Sequence, residues 1–161
     1  DQIKIGASGK IISAFDIASV LVLGADWVNS ARGFMFAVGC IQSQSCHTNH
    51  CPTGVATQDP LRQKALVVPN KAERVYHFHQ NTVKALADML AAAGVSRPEQ
   101  LTSHHMLRRI TPTEIKVYAD IYYYLEPGAL LQPEIKSEFY ARMWRMATPT
   151  SFDQAISLPA A

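Results

Sequence analysis

"QIKIGASGKIISAFDIASVLVLGADWVNSARG", Gln2 to Gly33, is the stretch whose reading decides the fold. Its opening alternates around Ile3 and Ile5, which predicts a short strand over Gln2–Ala7. Ser8, Gly9 and Lys10 break that strand. Ser13 then stands as an N-cap with Asp16 three residues on, and Gly24 is the stop. The pattern predicts a helix over Phe15–Leu23. Ala25–Ala31 is a second strand. Strand, glycine loop, helix and strand make one βαβ unit, with parallel strands and a right-handed crossover. Both strands read as buried on two faces, as parallel strands are.

Working outward, Gly33–Gly39 reads as a short helix leading into a polar segment that holds every cysteine. "ATQDPLRQKALVVP" is a connector with room for one helical turn. The strongest helical signal runs over Lys71–Ala93, with Asn70 and Glu73 as a capping-box pair and Gly94 as the stop. Ser96 with Glu99 predicts another helix ending near Arg108. Thr111, Pro112 and Glu114 predict a third, running to about Tyr124. Pro133–Met146 reads as a last helix and residues 148–161 as a loose terminus. The chain is thus expected to hold two strands near its front and helices thereafter. Two strands are too few for a stable sheet. The chain also opens on Asp1 rather than Met and runs directly into a strand. It is expected to be a piece of a larger α/β protein whose other strands pair with these.

Composition narrows the function classes. The 161 residues suffice for one domain, and 48% hydrophobic with 17% charged residues fits a globular chain rather than a disordered one. A net charge of +2, carried by scattered basic residues, does not point to nucleic acid as a partner. No apolar run reaches the ~18 residues of a membrane span. The N-terminus lacks the basic-then-apolar pattern of a signal peptide. Three cysteines, an odd number, fit a disulfide framework poorly. A reducing, cytoplasmic location is expected.

Those cysteines, Cys40, Cys46 and Cys51, lie in "GCIQSQSCHTNHCPTGVATQ", spaced by five and then four residues. Two chemistries suit them. With His47 or His50 they supply four tetrahedral ligands for a structural zinc ion, although such sites usually carry a tight Cys-x-x-Cys pair. Alone, they supply three thiolates at loop-length spacing, which suits a cubane iron–sulfur cluster with one corner empty, a 3Fe–4S centre. Pro52 suits a turn that closes the loop.

Two glycine loops carry a second signal. "GASGK" (Gly6–Lys10) and "NSARG" (Asn29–Gly33) each follow a predicted strand. Gly9 permits a positive φ, and Lys10 and Arg32 add charge for an anion. Loops at the C-terminal ends of adjacent parallel strands recur as the phosphate site after strands seven and eight of a (β/α)8 barrel. Other candidates read as structure. His77 and His79 are two apart on a helix and face different directions. His104 and His105 stand near an expected helix C-terminus, where cations are favourable. Arg108 and Arg109 read as solvated, or as contacts for an acidic electron donor. "IYYYL" (Ile121–Leu125) reads as packing.

Three stretches, "SGKIISAFDIASVLVLGAD", "NSARGFMFAVGCIQSQSCHTNHCPTGVATQDP" and "KAERVYHFHQNTVKALADMLAAAG", together resemble the FMN-binding domain of glutamate synthase. The nearest likeness is to FMN-binding glutamate synthase family proteins without the amidotransferase domain, and it covers Ile3 to about Tyr124. The resemblance implies an α/β fold, the C-terminal portion of a (β/α)8 TIM barrel comprising its last two strands and following helices, with a helix-rich extension. Residues 1–125 are then barrel with the cysteine loop, and residues 126–161 a helical tail. It implies that Cys40, Cys46 and Cys51 ligate a 3Fe–4S cluster and that Ser8, Gly9, Lys10, Ala31 and Arg32 lie at the FMN phosphate. Full-length glutamate synthases often show Asp-Gly-Gly where this chain has Ser8-Gly9-Lys10, so contact there is expected through the backbone. The reaction implied is reductive amination of 2-oxoglutarate to L-glutamate, using ammonia or glutamine-derived nitrogen. Electrons pass from the cluster to FMN, supplied by ferredoxin or an NAD(P)H-linked reductase subunit. The groups that grip the flavin ring and 2-oxoglutarate are expected in the first six strands, with the remainder of the barrel. No catalytic residue is therefore assigned, and this portion alone is expected to be inactive. The differing alternative is a zinc-stapled helical interaction module without redox activity.

Overall fold

The computed structural model describes residues 3–152. The expected βαβ unit forms: strand β1 (Gly6–Ser8), helix α1 (Ala14–Val22) and strand β2 (Trp27–Asn29), with β1 and β2 parallel. The capping box is made as read. Ser13 Oγ accepts from the Asp16 amide at 3.2 Å, and the Asp16 carboxylate accepts from the Ser13 amide at 2.8 Å. The Ile12 amide adds a third bond at 3.1 Å. These bonds, the Ser13 amide first, hold the Asp16 carboxyl below its ordinary 3.8.

Both strands are shorter than the sequence predicts, because a side chain takes over the ladder at their start. Asp26 Oδ2 accepts from the Ile5 amide at 2.8 Å, and its Oδ1 accepts from Lys4 Nζ at 3.0 Å. The Asp26 amide donates back to the Ile5 carbonyl at 2.8 Å. Gln2, the first residue of the expected strand, lies outside the described residues. Nor are the strands buried on two faces: Ile5 and Trp27 are 60% and 49% exposed. The Trp27 ring lies over Gly6, and about half of its surface remains open.

Helix α2 (Ala31–Val38) starts two residues earlier than expected and ends at Gly39, whose φ of 117° only glycine adopts readily. Helix α3 (Pro60–Gln63) is the single turn foreseen in the connector, capped by Asp59, whose Oδ1 accepts from the Leu61 amide at 2.9 Å. Helix α4 (Val68–Ala92) begins at Val68 instead of Lys71. Pro69 suits a first turn, where its missing N–H is not needed, so the Asn70–Glu73 box is not the start. Helices α1 and α2 both pack on α4, where Phe34 meets Phe78 edge to face at 5.1 Å. Ala14, Ala18 and Val22 of α1 are buried, as are Leu90 of α4 and Ile11.

Beyond α4 the sequence reading fails twice. The helix expected from Ser96 to Arg108 is only a 3-10 turn at Pro98–Gln100. Gln100 Oε1 folds back to accept the amides of Ser96 and Arg97 at 2.9 and 3.1 Å. His105 Nδ1 accepts the Thr102 amide at 2.9 Å. The Gln100 bonds cap the turn, while the Thr102 amide, which would have carried a helix onward, goes to a side chain instead. The helix expected from Thr111 to Tyr124 is instead an antiparallel hairpin, β3 (Leu107–Thr111) with β4 (Glu114–Val117), followed by a short helix α5 (Tyr118–Ile121). Pro112 and Thr113 make its turn, and Ile110, Thr111, Ile115 and Val117 are β-branched. What read as a helix N-cap was a turn.

The chain divides into two compact units, Asp1–Ile121 and Tyr122–Ala161. In the second, helix α6 (Glu138–Met146) starts later than the expected Pro133 and ends where predicted. Tyr140 donates to the Tyr123 carbonyl at 3.2 Å. Most of the expected loose terminus, 153–161, lies outside the described residues. Among the described residues no helix is long and apolar enough to cross a membrane.

Candidate functional site

The parallel register pairs Gly6 with Trp27, Ala7 with Val28 and Ser8 with Asn29. The loops after β1 and β2 therefore leave the same edge side by side. After β1, Gly9 and Lys10 both turn left-handed, at φ 120° and 54°. Lys10 bears that conformation without being glycine, an uncommon state for a long side chain. After β2 the chain enters α2 at once, so Ala31 and Arg32 lie in a helix's first turn rather than in a loop. Ser30, the N-cap, does not cap α2; its Oγ donates to the Ile11 carbonyl at 2.9 Å instead. That leaves the first amides of α2 without a side-chain cap. Gly33 is buried, and a Cβ there would stand 3.1 Å from the Ile12 carbonyl oxygen. The first turn of α2 is thus held tight against the loop that carries Lys10. Ser8, Gly9, Lys10, Ala31 and Arg32 are all exposed on this edge. Helix-terminal amides with two cations nearby favour an anion.

The cysteine segment starts where α2 ends. Cys40 is half-buried, Cys46 exposed and Cys51 buried. The Gln42 amide donates to Cys40 Sγ at 3.4 Å. Left-handed residues at Gln42, Gln44 and Asn49 curl the loop (φ 58°, 59° and 66°). Cys46 opens a 3-10 turn over Cys46–Thr48. Cys51 Sγ lies 3.5 Å from Thr53 Oγ1. That hydroxyl, then the backbone N–H groups of Ala56, Thr53 and Val55, lower the Cys51 thiol from 9.0 to about 7, against the opposing effect of burial. Such a ring of donors favours the thiolate, the form that binds metal. His47 and His50 are exposed, and His50 is engaged through its carbonyl, which accepts from Arg62 at 3.4 Å.

Among the described residues, no three Cys, His, Asp or Glu side chains converge to hold one metal ion. A tetrahedral zinc ion and a 3Fe–4S cluster both need their thiolates to converge, the cluster with one thiolate on each iron corner. The donor chemistry of the loop, three thiols with N–H groups aimed at two of them, fits the cluster.

Two residues that sequence reasoning missed hold this loop: Asn49 and Thr57. Thr57, 9% exposed, is the buried polar residue of the segment. Its Oγ1 lies 2.6 Å from the Asn49 carbonyl, and Asn49 Oδ1 accepts from the Gln58 amide at 2.6 Å. The one available signal was an asparagine in a polar loop, a residue that tolerates left-handed backbone.

The fold and site together define an α/β unit in which helix α2 runs from the strand-end loops to the cysteine loop. The family model described as "Conserved region in glutamate synthase" matches residues 1–96, and the chain belongs to the glutamate synthase family. It is 49% identical over 108 residues to the glutamate synthase large subunit-like protein YerD of Bacillus subtilis, covering 67% of this chain and 21% of that protein. It is 29% identical over 141 residues to the NADH glutamate synthase of Saccharomyces cerevisiae, covering 86% of this chain and 6% of that one. Ferredoxin-dependent glutamate synthase 2 of Synechocystis is 34% identical over 87 residues, or 53% of this chain and 6% of that protein. The chain thus spans about a fifth or less of the length of these relatives.

Proposed function

We propose that this chain is the C-terminal part of an FMN-binding (β/α)8 barrel in a glutamate synthase-like oxidoreductase. Strands β1 and β2 are its last two strands, and the remainder of the barrel covers Ile5 and Trp27. Residues 1–125 form the barrel portion with its cysteine loop, and residues 126–161 a helical tail. The observation that carries this reading is the family match over residues 1–96, which spans both strand-end loops and all three cysteines.

In this reading Ser8, Gly9, Lys10, Ala31 and Arg32 hold the FMN phosphate. The uncapped amides of α2 donate to it, and Lys10 and Arg32 offset its charge. Cys40, Cys46 and Cys51 hold a 3Fe–4S cluster. Hydrogen bonds from the Thr53 hydroxyl and nearby backbone lower the Cys51 pKa to about 7, which favours the thiolate form that binds iron. When bound, the flavin supplies hydride chemistry and the cluster one-electron transfer. The overall conversion is reductive amination of 2-oxoglutarate to L-glutamate with ammonia or glutamine-derived nitrogen. The electron donor is ferredoxin or an NAD(P)H-linked reductase subunit, the two classes that the relatives' names span.

Anaerobic reconstitution of the full-length protein with iron and sulfide tests the cluster. A visible absorption band, an EPR signal from the oxidised centre and bound flavin are expected. Cys46→Ser should abolish the EPR signal. A colourless preparation holding one zinc ion per chain would instead favour the zinc-stapled module. Glutamate formation from 2-oxoglutarate, assayed with reduced ferredoxin and with NADPH plus reductase, then assigns the donor.

A further inference from the structure

The three cysteines lie on a loop with little regular structure, so something other than a helix or sheet must set their spacing. Between Cys46 and Cys51 stands Asn49, at φ 66°. Eight residues on, Thr57 reaches back to it. Thr57 has one hydroxyl proton. The Asn49 carbonyl at 2.6 Å takes it in preference to Asn49 Oδ1 at 3.1 Å. Asn49 Oδ1 is then free to accept the Gln58 amide at 2.6 Å. The Thr57 oxygen in turn accepts from the Asp59 amide at 3.1 Å. From the other side, Gln63 Nε2 donates to the Thr57 carbonyl at 2.9 Å, which fastens the closure to α3. The loop so closed contains Cys51 and Thr53, whose Oγ1 lies 3.5 Å from the Cys51 sulfur.

We propose that Asn49 and Thr57 form a latch that positions the thiolate loop for its iron–sulfur cluster, each acting as a positioning residue without touching iron. The proposal rests on Cys40, Cys46 and Cys51 being the cluster ligands. Metal sites lose about 10- to 100-fold in affinity when an outer partner that orients a ligand is removed. Thr57→Val keeps the shape of the side chain but leaves the Asn49 carbonyl and the Asp59 amide without their partner. Thr57→Ser keeps the hydroxyl. Asn49→Gly permits the left-handed backbone and removes the side-chain amide whose Oδ1 accepts from Gln58, leaving the Asn49 main-chain carbonyl in place.

The test is iron loss from the anaerobically reconstituted full-length protein to an excess of a ferrous chelator, with the EPR line shape of the oxidised cluster recorded beforehand. Thr57→Val should release iron about 10- to 100-fold faster than wild type and show an altered line shape. Thr57→Ser should restore both. Asn49→Gly should also release iron faster, and it carries the test if Thr57→Val fails to fold. Release at the wild-type rate from a folded Thr57→Val or Asn49→Gly protein would overturn the latch. Wild type that takes up no iron and sulfide would overturn the cluster reading, and the latch with it. The two failures are told apart by the wild-type measurement alone.

Discussion

Gly33→Ala offers a substitution whose sign separates two physical accounts of α2. By helix propensity alone, alanine in place of this first-turn glycine should stabilise by up to about 1 kcal/mol. The packing argues the reverse. A Cβ at Gly33 would lie 2.7 Å from Phe78 Cζ, 3.1 Å from the Ile12 carbonyl oxygen and 3.1 Å from Ser30 Oγ. The Phe78 ring has little room to retreat, because it packs edge-on against Phe34 at 5.1 Å. Overpacking of this kind costs about 1–3 kcal/mol. The net expectation is a destabilisation of up to about 2 kcal/mol, or a Tm lower by about 2–4 °C for each kcal/mol. Phe78→Leu removes Cζ, so in that background the same Gly33→Ala change should be neutral or stabilising, a coupling of at least about 1 kcal/mol. Urea denaturation of the four proteins of this cycle measures it. Gly33→Ala that stabilises wild type, or that has the same effect in the Phe78→Leu background, would refute the reasoning. The change should also push the first turn of α2 off Ile12, and so weaken inorganic phosphate or FMN binding at the Lys10–Arg32 edge.

Further expectations follow from the site and its supports. Asp16 has its carboxyl pKa lowered, by the Ser13 amide first, so its contribution is present above the unfolded value and lost as pH falls through the folded one. Asp16→Asn should cost about 1 kcal/mol near neutral pH and flatten the acid limb of stability below about pH 4, read by denaturant midpoints across pH. Lys10→Ala with Arg32→Ala should weaken FMN binding by about tenfold or more while leaving the cluster EPR signal unchanged, which isothermal titration and EPR together report. Asp26→Ala should loosen the β1–β2 start, where Asp26 bonds the Ile5 amide and Lys4; faster hydrogen exchange at Ile5 and Trp27 would register this.

Local chemistry made much of this molecule legible. The Ser13–Asp16 capping box, the positive φ of Gly9 and the single turn at Pro60 each depend on residues a few positions apart. The cysteine loop was legible for the same reason, since all its thiols are near in sequence. The hairpin was not. Thr111-Pro112-x-Glu114 suits a helix start and a β-turn alike, and only the pairing of Arg109 with Ile115 and Leu107 with Val117 decides between them. Propensity there is a weak prior that a cross-strand partner overrides.

The sequence by itself determined the parallel βαβ order, the cysteine spacing and the family to which the chain belongs. Tertiary structure alone decided that Ser30 turns from its cap to Ile11, that Gly33 lets α2 close on the Lys10 loop, and that Thr57 latches onto Asn49 around Cys51. Each of those depends on a contact between residues whose separation in sequence carries no local signal. Hydrogen-bond partners and packing distances are set by where the chain returns, and no periodicity records that return.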